Sequence, residues 1–162
     1  EKELSAKKQK EIFKRTLPEL QAFSKTQETT SIEVYEGKEG LKSVLNDILK
    51  VKKDIFILGF TGSVAKALHF FYPHLQKKRA KLGVRRKVLA DHKMRTSQII
   101  QQPLTTTRFF PKGYHNPSAM WVYGNKTVIF VGKELLIILI ESKKVAKQYK
   151  NYFELLWKIG EK

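Results

Sequence analysis

The chain has 162 residues, no cysteine, and 32 Lys and Arg against 15 Asp and Glu, a formal net charge of +17. The lack of cysteine excludes disulfides, thiolate metal sites and cysteine nucleophiles and fits a reducing cytoplasm, while no apolar run approaches the roughly 20 residues of a membrane span. An apolar fraction of 41% suffices for a core, and so basic a chain is drawn to polyanions, of which nucleic acid is the commonest.

Glu1-Lys2-Glu3-Leu4 is neither a signal peptide nor an initiator Met and reads as a cut inside a longer protein. Phe13, Leu17, Leu20 and Phe23 recur at helical spacing between Lys7, Lys8, Lys10, Lys14 and Arg15. Pro18 interrupts the pattern, and the Thr16 to Glu19 capping-box spacing restarts it. The spacing predicts a helix of about 36 Å over residues 1–27, a linker that either pairs with another chain through its apolar stripe or packs back on its own domain. Gln27 to Ser31 is a polar hinge, and a second unit occupies 31–162.

In that unit Ile32 to Tyr35 alternates as a strand, and Leu41, Val44, Leu45, Ile48 and Leu49 mark one face of a helix. Ile55 to Phe60 is apolar on both faces, as a central strand is. A helix follows through Val64, Leu68 and Phe71, with a break expected near Pro73 and a stop at Gly83. Val84 to Leu89 predicts a strand, Arg95 to Gln101 a short helix, and Thr105 to Phe110 a further strand. Gly124-Asn125 turns a hairpin between Ala119–Tyr123 and Thr127–Val131, and Leu135 to Ile140 adds a buried strand. The last helix starts near Lys143, with Val145, Tyr149, Tyr152, Phe153 and Leu156 inward. This order gives an α/β domain around a mixed sheet flanked by helices, its last strands antiparallel.

Val34-Tyr35-Glu36-Gly37-Lys38-Glu39-Gly40-Leu41, then a helix, then Asp54-Ile55-Phe56-Ile57-Leu58-Gly59, resembles the opening of the regulatory domain in TrmB-type transcriptional regulators. Leu17-Pro18-Glu19-Leu20 is similar to their linker helix, Pro117 to Gly132 to their closing hairpin, and Asn151 to Trp157 to their final helix. The resemblance implies a phospholipase-D-like fold, a homodimer, a DNA-binding winged helix upstream of Glu1, and an effector-sensing role in the cytoplasm. Enzymes of that fold carry His-x-Lys-x-x-x-x-Asp on the hairpin. Here Pro117, Ala119 and Gly124 fall at the three positions. None is a nucleophile or a charge, so the resemblance implies a domain that is not an enzyme.

A degenerate cleft can still bind a ligand. Thr61, Asp91, His92, Arg108, His115 and Ser118 are the candidates to meet at one end of the sheet, and Arg108 suits a carboxylate or phosphate. His69 and His74 lie among aromatics, where packing is the expected role, and no histidine pair has ligand spacing with a carboxylate, so neither metal nor cofactor is expected. Basic runs at Lys50 to Lys53, Lys77 to Lys87 and Lys143 to Lys150 are either solvated faces or phosphate contacts; Lys77, Lys78, Arg79, Arg85, Arg86 and Lys87 form the densest. The leading expectation is a regulatory domain sensing a small molecule. A basic nucleic-acid-binding module without effector and a phosphodiesterase with a rebuilt site at His115 stand as alternatives.

Overall fold

The computed structural model describes residues 29–131 and 135–162. The expected dimerisation residues Phe13, Leu17, Leu20 and Phe23, and the linker helix over 1–27, lie outside the described residues. In chain order the elements are β1 (Ser31–Tyr35), α1 (Gly37–Val51), β2 (Ile55–Phe60), α2 (Ser63–Ala67), α3 (Phe71–Lys81), β3 (Arg86–Ala90), 3-10 turns at His92–Thr96 and Gln98–Ile100, β4 (Thr105–Phe109), β5 (Ala119–Tyr123), β6 (Lys126–Val131), β7 (Leu136–Glu141) and α4 (Lys143–Ile159). The strands form a single mixed sheet in the order β1-β7-β6-β5-β2-β3-β4. β2, β3 and β4 are parallel, and all other pairings are antiparallel.

Helices cover both faces. On one, Leu41, Val44, Leu45 and Ile48 of α1 close with Tyr72 and Leu75 of α3 over Ile57, Val88, Trp121 and Ile137. On the other, α4 crosses β2, β5, β6 and β7 and buries Phe153 against Leu89 and Phe110. Burying a side chain such as Phe153 contributes about 1.5–3 kcal/mol. Ser142 caps α4 by accepting from the Val145 N–H.

Three local expectations need correction. The helix after β2 breaks at residues 68–70, before Pro73. That proline sits in the first turn of α3, where a missing N–H costs nothing. The short helix expected over Arg95 to Gln101 is instead the pair of 3-10 turns, capped by the Asp91 and Ser97 side chains. On α4, Tyr152 faces outward at 49% exposure, and Ala146 and Phe153 are the buried residues.

Two arginines of the densest basic run are also turned inward, so neither contacts nucleic acid. Arg79 is buried on α3, where its Nε donates to Gln76 Oε1 at 2.8 Å. Its Nη1 donates to the Val84 carbonyl and its Nη2 to the Pro103 carbonyl. Arg86 is buried on β3 and donates to Tyr72 Oη at 2.7 Å and to Thr105 Oγ1 at 3.2 Å. Burial, and then the neighbouring Arg86 charge, push Arg79 down to about 10, so it remains protonated at neutral pH. Its planar fork clasps the segments that lead into β3 and β4 to α3, which a lysine cannot reproduce. Arg79→Ala strands two carbonyls and is expected to lower the unfolding free energy by about 3 kcal/mol. Urea denaturation checks this, and Arg79→Lys is expected to recover less than half.

Candidate functional site

The parallel strands β2 and β3 finish at the same end of the sheet, and the chain there is bent to admit a loop. Gly59 has φ of +81°, at a register shift between Leu58 and Phe60. A Cβ at Gly59 would stand 2.7 Å from the Ser118 carbonyl oxygen and 3.1 Å from Asn116 Cβ. Only glycine supplies both the backbone angle and the space. The loop between β4 and β5 therefore lies directly on the end of β2, carrying His115 with it.

Asp91 follows β3 immediately. Its N–H donates to the Phe60 carbonyl at 3.0 Å, and its own carbonyl accepts from the Met94 N–H at 2.9 Å. Oδ1 accepts from the Lys93 N–H at 3.1 Å. Oδ2 lies 2.6 Å from His115 Nδ1. The carboxylate is buried, with its side chain 7% exposed, whereas the His115 side chain is 63% exposed. Burial pushes the Asp91 carboxyl up. The hydrogen bonds from His115 and the Lys93 backbone, with the charges of those two residues, outweigh burial and hold it below the ordinary carboxylate value.

An ionised carboxylate only accepts, so the imidazole proton of His115 is on Nδ1 and donates to Asp91. In the neutral ring Nε2 is then left with a lone pair, on a side chain that is largely exposed. That is the state of a general base, a nucleophile or a hydrogen-bond acceptor held in one orientation by its partner.

The other candidates are placed as follows. Thr61 lies at the same strand end and donates to Ser63 Oγ at 3.1 Å. Ser118 contributes the carbonyl that packs on Gly59. His92 follows Asp91 directly, and its Nδ1 accepts from Arg95 Nε at 3.4 Å. Arg108 is not part of the group. It points to the α4 side of the sheet, donates to the Trp157 carbonyl at 2.5 Å, and lies 5.0 Å from the Trp157 ring. Its neighbour Phe109 takes the core face, and adjacent strand residues face opposite ways. Sequence reasoning missed Lys93, whose N–H and charge act on Asp91, whereas Arg95 in the same turn is engaged by His92, Glu161 and the Lys162 carbonyl. The signal for Lys93 was adjacency to Asp91 in the chain. Among the described residues no group of three His, Asp or Glu is arranged to hold a metal.

No family model matches the chain, and no curated protein matches it. Solved structures do. TrmBL2, an archaeal chromatin protein whose structure shows a novel mode of DNA binding, is similar over 99% of this chain, with 18% identity and a TM-score of 0.52. The chain spans 64% of the length of TrmBL2. Nuc from Salmonella typhimurium, a phospholipase D family member, is similar over 82% of this chain and 97% of its own, with 18% identity and a TM-score of 0.55. NucT from Helicobacter pylori is similar over 82% and 98%, with 12% identity and a TM-score of 0.54.

The fold is phospholipase-D-like. The expectation that the chain is not an enzyme is overturned by these neighbours, since this domain matches Nuc, a phospholipase D family member, and NucT over 97% and 98% of their chains. The replaced hairpin positions Pro117, Ala119 and Gly124 do not carry that exclusion. The fold brings a buried carboxylate to His115 from 24 residues away, a pairing that hairpin spacing does not reveal.

The Asp91 carboxyl is held below its ordinary value, so its stabilisation is complete above the unfolded-state value, about 3.9, and is lost as pH falls through the folded one. Asp91→Asn is therefore expected to be less stable than the native chain at pH 6. The gap should narrow as the pH drops from 5 towards 3, as followed by urea titration at stepped pH.

Proposed function

We propose that this chain is the effector-sensing and dimerising regulatory domain of a TrmB-type transcriptional regulator, with DNA read by a winged helix outside this sequence. The observation that carries the reading is extent. The likeness to TrmBL2 runs over 99% of the chain, and the likeness to Nuc and NucT over 82%. In this reading the linker over 1–27 pairs two subunits through Phe13, Leu17, Leu20 and Phe23. The effector docks at the sheet end where Asp91 orients His115, with Thr61, Ser118 and His92 around it. Lys93, whose charge acts on Asp91, favours an anionic effector. An effector that binds one subunit arrangement better than the other shifts winged-helix spacing by its differential affinity, and DNA affinity with it. Such a regulator works in the cytoplasm.

Light scattering tests the pairing step. The 162-residue chain is expected to run as a dimer, and a Leu17→Ser, Leu20→Ser double variant as a monomer with an unchanged circular dichroism spectrum. A native chain that is monomeric at high micromolar concentration contradicts the reading.

The Asp91–His115 pair favours a second reading, phosphodiester hydrolysis with the His115 Nε2 lone pair as nucleophile or base. Bis(4-nitrophenyl) phosphate distinguishes the two. On the second reading the native chain turns it over, His115→Ala loses the activity, and Asp91→Asn lowers kcat by about 10²- to 10⁴-fold. Turnover that survives His115→Ala removes this site from consideration.

A further inference from the structure

A groove lined by charged residues lies at the opposite end of the sheet from His115. It has a volume of about 650 Å³ and is formed by the starts of β2, β3 and β4 and by Lys150 and Glu154 of α4. A second groove, of about 400 Å³, runs on from it past Lys52, Lys53 and Gly124. Asp54, Phe56 and Lys150 belong to both, so the two are continuous.

The charges on this surface come from all three basic runs of the sequence. Lys52 and Lys53 arrive from the end of α1, Arg85 and Lys87 from the start of β3, and Lys150 from the middle of α4. Lys52 is held in the left-handed region, with φ of 52°, as the C-cap of α1. Lys150 lies with its ammonium 4.7 Å from the centre of the Phe56 ring. Lys52, Lys53, Arg85 and Lys150 are exposed, and Lys87 is half-buried.

Two carboxylates lie among these five cations, and both are engaged. Asp54 Oδ1 accepts from the Arg85 backbone N–H at 3.1 Å, and Glu154 Oε1 pairs with Lys87 Nζ at 3.3 Å. The surface is therefore a trough of excess positive charge between an aromatic floor and a helix wall. Of the aromatics that line it, Phe56 has Lys150 over its ring and Phe153 edge-on to it, and Tyr123 is buried, so neither offers an open face to a base. Cations without free stacking platforms contact phosphate and do not read bases.

We propose that this trough binds the phosphodiester backbone of nucleic acid without sequence preference. It is a second anion-attracting surface, distinct from the Asp91–His115 end. A six-residue strand such as β2 separates the two by about 20 Å. A chain can therefore hold a nucleic-acid backbone on one end of its sheet while the other end stays open to a small ligand. The inference does not depend on the regulator reading, because the 162-residue chain carries the surface by itself.

The test is fluorescence anisotropy of a random-sequence 30-base-pair DNA with the 162-residue chain, titrated at several salt concentrations. Lys52→Gln, Lys53→Gln, Lys150→Gln is the test variant. The expected result is a loss of affinity of 10-fold or more at about 0.1 M salt, with the slope of log K on log salt reduced by about 0.9 for each phosphate contact removed. The same three positions changed to Arg are expected to keep native affinity.

Lys77→Gln, Lys78→Gln on α3 serves as the control, since it removes exposed charge from the opposite face of the sheet. It is expected to change affinity by less than about 3-fold. Equal losses in the test and control variants would mean that bulk charge alone drives binding, and would overturn the proposal. So would unchanged affinity in the test variant, or binding to anionic lipid vesicles in place of DNA.

Discussion

A carboxylate taken out of water must find donors, and Asp91 finds them by drawing three parts of the chain together. Its backbone ties it to the end of β2, its Oδ1 ties it to the turn that follows, and its Oδ2 ties it to His115 on the loop before the hairpin. Without these donors a buried charge of this kind costs several kcal/mol. The loop can reach Asp91 only because Gly59 leaves room for the Ser118 carbonyl. A conformational requirement on β2 and an electrostatic one on β3 thus have the same consequence, a histidine held in one tautomer with its free nitrogen outward. In this phospholipase-D-like fold the pair stands at this end of the sheet, ahead of a hairpin whose Pro117, Ala119 and Gly124 carry neither nucleophile nor charge.

The opposite face of the sheet follows from a different constraint. The parallel strands present Phe56, Leu58 and Leu89 on the side away from α1 and α3, and that surface needs a cover. Helix α4 provides it with Phe153, Leu156 and Trp157. Arg108 then holds the end of the helix through the Trp157 carbonyl, and Arg95 holds the chain end through Glu161 at 2.7 Å. Lys150 of α4 is left along the groove, next to Lys52 and Lys53 at the end of α1 and Arg85 and Lys87 at the start of β3. The basic trough is thus a by-product of how the sheet is covered.

Much of the architecture was legible because the relevant signals are local. Gly124-Asn125 marked the hairpin, the apolar spacing of Leu41 to Ile48 marked α1, and the two-sided apolar run Ile55 to Phe60 marked a central strand. What escaped depends on partners distant in sequence. Whether Arg79 and Arg86 face water is set by the Pro103, Thr105 and Tyr72 oxygens that receive them, and a run of basic residues looks the same in either case. The direct hydrogen bond between Asp91 and His115, two residues already expected at one end of the sheet, spans two loops, and the groove unites residues from Lys52 to Lys150. Arg108 was readable in principle, since Phe109 beside it claims the core face.

The central claim is that Asp91 holds His115 with its proton on Nδ1 and its lone pair on Nε2. The most direct measurement is a long-range 1H–15N correlation spectrum of the imidazole nitrogens at pH 8, recorded on the native chain and repeated with Asp91→Asn to assign the signal. The account predicts one histidine with a protonated Nδ1 and an unprotonated Nε2, a pattern lost in the variant. A His115 that shows the Nε2–H tautomer, or an averaged pattern indifferent to Asp91→Asn, would contradict it.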